Sequence, residues 1–300
     1  MTTNNSASLL ADLTRRLAPL TGTPSLEAQV LLAHVLDCSR TRLLAHPETE
    51  LSAAQSAHLN ALAARRLAGE PLPYLIGRWE FYGNTFTVTP AVLIPRPETE
   101  LLVETALAWL QAHPGRRRAA DVGSGSGCIA ITLALHCADL RLAAVDRSAA
   151  ALAVAQQNAC QHGVAQRVAF FQGDLLAAAA GPLDLVCANL PYIPSQTVDG
   201  LPVTRFEPRL ALDGGADGLD LIRRLLAQLA SRLAPGGLAL FEIEAGQGQS
   251  ALAAARMALP QAAACVLPDL AGLSRLLKIE FPTGRSFTPG RMFSPIQKQR

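Results

Sequence analysis

The segment Ala119-Ala120-Asp121-Val122-Gly123-Ser124-Gly125-Ser126-Gly127-Cys128-Ile129-Ala130 admits few folds. A short apolar run carries an acid, glycines alternate with serines, and apolar positions continue through Ile129, Leu133 and Leu135. Strand, tight turn and helix in that order form the opening unit of a doubly wound α/β sheet, with a ligand at the turn. Glycine at alternate positions lets the backbone approach that ligand closely. The dinucleotide fingerprint G-x-G-x-x-G would need glycine at position 128, where Cys128 stands. Asp121, just ahead of the loop, suits a cationic ligand group better than a pyrophosphate.

Two further strand-like runs end in acids. Arg141-Leu142-Ala143-Ala144-Val145 leads to Asp146, at the distance where a second-strand carboxylate accepts hydrogen bonds from ribose hydroxyls. Val168-Ala169-Phe170-Phe171-Gln172-Gly173 leads to Asp174-Leu175, placed to flank an adenine ring. Any one of these acids would serve as a helix N-cap. Three in step with a glycine loop point to S-adenosyl-L-methionine, whose ammonium, ribose and base match them in turn. The expected cofactor-binding residues are Asp121, Gly123, Ser124, Gly125, Ser126, Gly127, Asp146, Asp174, Leu175 and Asn189.

From residue 118 onward strand-like and helical stretches alternate, with strands expected near 118–122, 141–145, 168–172, 184–188, 237–243, 262–267 and 275–281. The apolar-striped stretch Leu219–Leu233 reads as a helix closed by Pro235-Gly236-Gly237. Residues 6–70 read as wholly helical: Leu9, Leu10, Leu13 and Leu17 share a helical face, Ser25 is placed to cap a second helix, and Ser52-Ala53-Ala54-Gln55 is a capping-box pattern whose helix Gly69 ends. Trp79–Tyr82 and Thr85–Val88 read as a β-hairpin around a Gly83-Asn84 turn. The expected organisation is a helical substrate-recognition domain at 1–74, a hairpin linker at 75–95, an α/β domain at 96–282 and a basic, flexible tail at 283–300.

A fourth strand-like run, Leu183–Ala188, opens into Asn189-Leu190-Pro191-Tyr192. The Asn side-chain oxygen and the carbonyl of Leu190, stiffened by the following proline, offer two acceptors to the two N–H donors of a planar –NH2. The Tyr ring supplies a flat packing wall. A carboxamide and an exocyclic base amine both present such a group.

A net charge of +2, with 26 basic against 24 acidic residues, leaves no electrostatic footprint for nucleic acid or a membrane surface. Six cysteines without a C-x-x-C pair are expected as free thiols in a reducing, cytoplasmic setting. The six histidines are scattered outside these motifs without metal-ligand spacing, so no metal is expected.

Taken together the chain resembles the bacterial release-factor glutamine methyltransferases over about residues 25–280. The resemblance rests on Gly69–Gly77, Val92-Leu93-Ile94-Pro95-Arg96-Pro97-Glu98-Thr99-Glu100, the Asp121–Gly127 loop and Glu207–Leu219. It implies a Rossmann-like seven-stranded sheet and methyl transfer from S-adenosylmethionine to a glutamine side-chain nitrogen, leaving S-adenosyl-L-homocysteine. It further implies peptide chain release factors as protein substrate, modified in their Gly-Gly-Gln motif, and a monomer. The family's loop is usually Asn-Pro-Pro-Tyr, and Leu190 replaces its first proline while keeping the backbone carbonyl that the family uses. Asn189, Leu190, Pro191 and Tyr192 are accordingly the expected catalytic and substrate-binding residues. Arg96, Glu98 and Arg209 either shape the pocket mouth or only support it. Three alternatives remain open: a ribosomal-protein glutamine methyltransferase, an amino-methylating DNA adenine enzyme, and a non-catalytic S-adenosylmethionine sensor.

Overall fold

A computed structural model of the chain describes residues 5–179 and 181–283; apart from Thr283, the tail expected at 283–300 lies outside the described residues. Five helices come first: α1 (Ser6–Leu17), α2 (Pro24–Val35), α3 (Arg40–Ala45), α4 (Ala53–Leu67) and α5 (Leu72–Ile76). Their apolar stripes meet in one core around Leu13, Leu17, Leu31, Leu32, Leu59 and Leu62. The capping box opens α4, with Ser52 and Gln55 exchanging side chain for backbone, and the chain turns at Gly69 with φ +98°. Ser25 does not cap α2. The helix starts one residue earlier, with Pro24 as its first residue, because the proline ring presets a helical φ and has no N–H to satisfy.

The hairpin of β1 (Arg78–Phe81) and β2 (Asn84–Thr87) turns one residue earlier than its sequence suggests. Phe81 pairs with Asn84, so Tyr82 and Gly83 form the turn, with φ +50° and +69°. Two contacts hold Tyr82 in this left-handed state: its N–H donates to Glu100 Oε1 at 2.8 Å, and its carbonyl accepts from Asn84 Nδ2 at 2.9 Å. Phe81 and Phe86 are buried in the core beneath the large sheet.

After α6 (Glu100–Ala112) the chain alternates β3 (Arg118–Val122), α7 (Cys128–His136), β4 (Arg141–Asp146), α8 (Ala149–Gln161), β5 (Val168–Gln172) and β6 (Leu183–Ala188). It continues through the short α9 (Ser195–Val198) and α10 (Asp220–Arg232) to β7 (Leu233–Glu242), α11 (Gly248–Ala258), β8 (Ala263–Pro268) and β9 (Ser274–Glu280). All seven expected strands form one sheet, in the order β5-β4-β3-β6-β7-β9-β8. Strand residues alternate between two cores. Leu185, Cys187, Leu238 and Leu240 face one, whereas Val186, Ala188, Ala239 and Phe241 face the other. Both faces are covered by helices, as a parallel sheet requires.

The sheet departs from a purely parallel one at a single edge. β9 runs antiparallel to both β7 and β8, because the turn between β8 and β9 is too short for a crossover helix. β7 also begins earlier than expected, with a register shift between its pairings Leu183–Leu233 and Leu185–Leu238 that takes up Pro235-Gly236. Tyr74, Val88, Val92 and Ile94 pack with Ala151 and Val154 of α8, which joins the helical region to the sheet. No helix among the described residues is long and apolar enough to cross a membrane.

Candidate active site

β3 lies between β4 and β6, so the chain's windings diverge there and leave a crevice beyond the carboxyl ends of β3 and β6. Val122 of β3 pairs with Ala188 of β6, and the next residues are Gly123 and Asn189. A cavity of about 1030 Å³, its open mouth included, fills the crevice. Its wall includes Gly123 to Ser126, Asp146, Asp174, Leu175, Asn189, Leu190 and Pro191.

On the β3 side the geometry is backbone geometry. Gly123, Gly125 and Gly127 have φ values of +76°, +54° and +80°, a region closed to most side chains. A Cβ on Gly127 would also lie 2.9 Å from Ile131 Cδ1 and 3.1 Å from Ala155 Cβ, so Gly127 packs behind the wall rather than on it. The N–H groups of Gly123 and Ser124 donate to the Val145 carbonyl at 2.8 and 3.1 Å. Asp146 continues the attachment, accepting from Gly125 N–H at 2.9 Å and from Ser148 N–H at 2.8 Å. Asn158 of α8, fully buried, donates to the carbonyls of Ser126 and Thr87 and accepts from Thr87 N–H, tying the hairpin to the loop.

Asp121 sits beneath this loop and not on the cavity wall. It is 0% exposed, its Oδ2 accepts from Ala130 N–H at 3.1 Å, and its Oδ1 has no partner among the described residues. Burial pushes its carboxyl up to about 7, against the pull of the Ala130 N–H and with a further push from the Asp146 charge. Ser124 Oγ and Asp174 Oδ1 are likewise buried without a partner, while Asp174 Oδ2 is ion-paired with Arg224. Buried polar atoms left unpaired are costly. Two of them, Ser124 Oγ and Asp174 Oδ1, belong to residues of the cavity wall. With the Asp146 carboxylate alongside, they fit a ligand that carries hydroxyls and a polar base, while Asp121 beneath the loop adds a buried acid that suits a cation.

On the β6 side the geometry is made by side chains. Asn189 donates from Nδ2 to Thr99 Oγ1 at 3.0 Å, and Thr99 Oγ1 donates to Glu242 Oε2 at 2.6 Å. Tyr192 extends its hydroxyl to Glu242 Oε1 at 3.4 Å; it is half-buried and, unlike Asn189, Leu190 and Pro191, is absent from the cavity wall. Glu242 is pushed up to about 7 by burial, although the Thr99 hydroxyl and Arg275 favour its charged form. Its proximity and burial also raise the Tyr192 phenol. Leu190, 4% exposed, packs its side chain toward Gly123 and into the core.

The loop from Asp213 to Gly218 closes this side. A Cβ on Gly218 would lie 2.0 Å from the Tyr192 carbonyl oxygen, so only glycine fits. Gln247 Nε2 donates to that same carbonyl at 2.9 Å. Ile193 N–H donates to the Leu212 carbonyl, and Gly214 N–H returns a bond to the Ile193 carbonyl.

Arg96 lines the cavity and holds the buried carboxylate of Glu207 at 2.7 Å. Glu98 is exposed and off the cavity wall, and Arg209 pairs with Asp199 and Asp213 away from it. Thr99, Glu242, Gln247 and Asn158 were not among the residues expected from sequence. Glu242 had one signal, an acid closing an apolar strand.

Residues 8–77 match the family model described as PrmC N-terminal domain, and residues 97–206 the one described as Methyltransferase small domain. The release factor glutamine methyltransferase of Moorella thermoacetica is 48% identical over 254 residues, covering 84% of this chain and 89% of its own length. That of Bordetella pertussis is 45% identical over 261 residues, covering 85% and 94%. Among solved structures, the hMettl16 catalytic domain in complex with MAT2A 3'UTR hairpin 6 aligns with a TM-score of 0.52 at 16% identity, over 79% of this chain and 84% of that one, a likeness of fold alone. By identity and coverage, then, this chain belongs to the release factor glutamine methyltransferases.

Proposed function

We propose that the cavity joins the two halves of one reaction, methyl transfer from S-adenosylmethionine to the side-chain nitrogen of the glutamine in a release factor's Gly-Gly-Gln motif. In this reading the Gly123–Gly127 loop and Ser124 carry the amino-acid end of the cofactor, with Asp121 beneath answering its ammonium. Asp146 takes the ribose, and Asp174 and Leu175 flank the adenine. When bound, the cofactor supplies an electrophilic methyl group on a sulfonium, and S-adenosyl-L-homocysteine is the product.

The protein's own part is to manage a poor nucleophile. An amide nitrogen shares its lone pair with the carbonyl and is barely basic. Asn189 Oδ1 and the Leu190 carbonyl accept its two N–H groups and fix it facing the methyl group, which favours the transition state as positive charge grows on nitrogen. No base is needed beforehand, since the nitrogen becomes strongly acidic once methylated and then releases a proton. Tyr192 borders the glutamine side chain. The helices α1 to α5 recognise the body of the release factor, because every group proposed to touch cofactor or glutamine lies beyond residue 120.

The observation that carries this reading is the convergence of Asn189 with the glycine loop on one cavity, with the Asn189 Nδ2 already engaged by Thr99. The test is incubation with labelled cofactor and, separately, intact release factors, ribosomal protein and duplex DNA, followed by mass spectrometry. One methyl group on the release-factor glutamine is expected. Methyl on the ribosomal protein or DNA alone, or on nothing, sinks the proposal.

A further inference from the structure

We propose that Thr99 and Glu242 are positioning residues that decide which way round the Asn189 carboxamide stands. The proposal rests on the reading of Asn189 Oδ1 as an acceptor for the substrate amide, and it accounts for a constraint that reading leaves open. A carboxamide has an oxygen at one end and an –NH2 of similar shape at the other. Turned the wrong way, Asn189 would offer two donors to a substrate group that has two donors of its own, and the grip would become a repulsion.

The hydrogen-bond chain removes that freedom. A threonine hydroxyl has one hydrogen. An ionised carboxylate can only accept, so Thr99 spends its hydrogen on Glu242 Oε2 at 2.6 Å. Thr99 Oγ1 then has only lone pairs left for Asn189, which must present Nδ2 to it, at 3.0 Å. Oδ1 is left at the opposite end of the amide, without a donor among the described residues. Thr99 is 2% exposed and Glu242 is 1% exposed, so water does not stand in for either. The role also gives the Ile94–Glu100 motif a function its charged residues do not carry. Arg96 is committed to Glu207 and Glu98 is exposed, while Thr99, at the end of the turn Pro97–Thr99, reaches the Asn189 side chain.

Protonating Glu242 undoes the constraint. A carboxylic acid can donate to Thr99 and free the hydroxyl hydrogen to face Asn189, so either amide orientation becomes possible. The groups facing Glu242 are Arg275 from β9, Glu98 from the turn, Tyr192 from the loop and Cys128 from α7. With the Glu242 carboxyl pushed up to about 7 by burial, turnover falls as pH drops through neutrality.

The test compares Thr99→Val, which keeps the shape and loses the hydroxyl, with Thr99→Ser, which keeps the hydroxyl, and with Glu242→Gln. Asn189→Ala runs alongside in the full-length protein on an intact release factor. Thr99→Val should lower kcat about tenfold or more with KM for the cofactor within about twofold, and Thr99→Ser should recover to within about threefold of wild type. Glu242→Gln should lower kcat and flatten the acid limb of the pH profile. Wild-type kcat in Thr99→Val, or equal losses in the Val and Ser variants, overturns the proposal. If Thr99→Val does not fold, an unchanged acid limb in Glu242→Gln overturns it instead. Full activity in Asn189→Ala would overturn the acceptor reading itself, whereas loss there with Thr99→Val unaffected overturns only the positioning role.

Discussion

The two walls of the cleft solve the same problem by different means. The β3 wall is made of backbone, in a loop of five residues whose shape follows from three glycines with positive φ and from attachment to the adjacent strand. The β6 wall depends on the Asn189 side chain, whose supports come from far away in sequence: Thr99 lies 90 positions from Asn189, and Glu242 lies 143 from Thr99. In the proposed reading the β3 wall holds a cofactor, which is chemically constant, so a fixed backbone cradle suffices for it. Gripping a weak nucleophile depends on the polarity of individual atoms, and polarity takes a hydrogen-bonded network to define.

The largest separation of the two walls should come from Asn189→Ala. Removing one of two preorganised acceptors should lower turnover by roughly 10²–10³ while leaving cofactor affinity nearly unchanged by calorimetry. Equal losses in both would mean that the walls are not independent. Asp146→Ala should act in the opposite sense, weakening cofactor binding by roughly 1.5–3 kcal/mol, the scale for lost charged hydrogen bonds. Because Gly125 and Ser148 lose their acceptor in that variant, its melting temperature should fall as well, even without cofactor. Unchanged affinity would remove Asp146 from the site. The smallest effect is expected of Leu190→Pro, which keeps the carbonyl and should hold turnover within about tenfold, roughly 1.4 kcal/mol in barrier. Its cost should appear as lost stability, since the Leu190 side chain is buried against both walls. A turnover loss of the Asn189→Ala size would show that the leucine side chain itself shapes the reacting geometry.

What could be read from the sequence follows the same division. The glycine loop, Asp146 and the strand sites were legible because strand, turn and acid are adjacent in the chain and each has its own periodic signature. The Asn189 loop was legible as a motif. Its support was not, because no local pattern tells which hydroxyl will stand beside it, and a threonine between charged residues carries no signal of its own. Asp121 was legible as an acid of the loop but not as one buried below it, since its depth depends on α7 packing over the strand end. The Tyr82-Gly83 turn was not legible because a tertiary contact, the Glu100 carboxylate, decided it, whereas the antiparallel β9 follows from a connection to β8 too short for a crossover.

The pairing of Val122 with Ala188 has a consequence for how this catalyst can vary. In the proposed reading, donor loop and acceptor loop leave the sheet from the same rung of one ladder, on neighbouring strands about 4.8 Å apart. Where the two loops start is therefore fixed by the sheet, before any loop residue is chosen. A slip of β6 by one residue would turn Val186 and Ala188 into the opposite core and carry Asn189 away with them. Register alone thus decides which residues open onto the crevice.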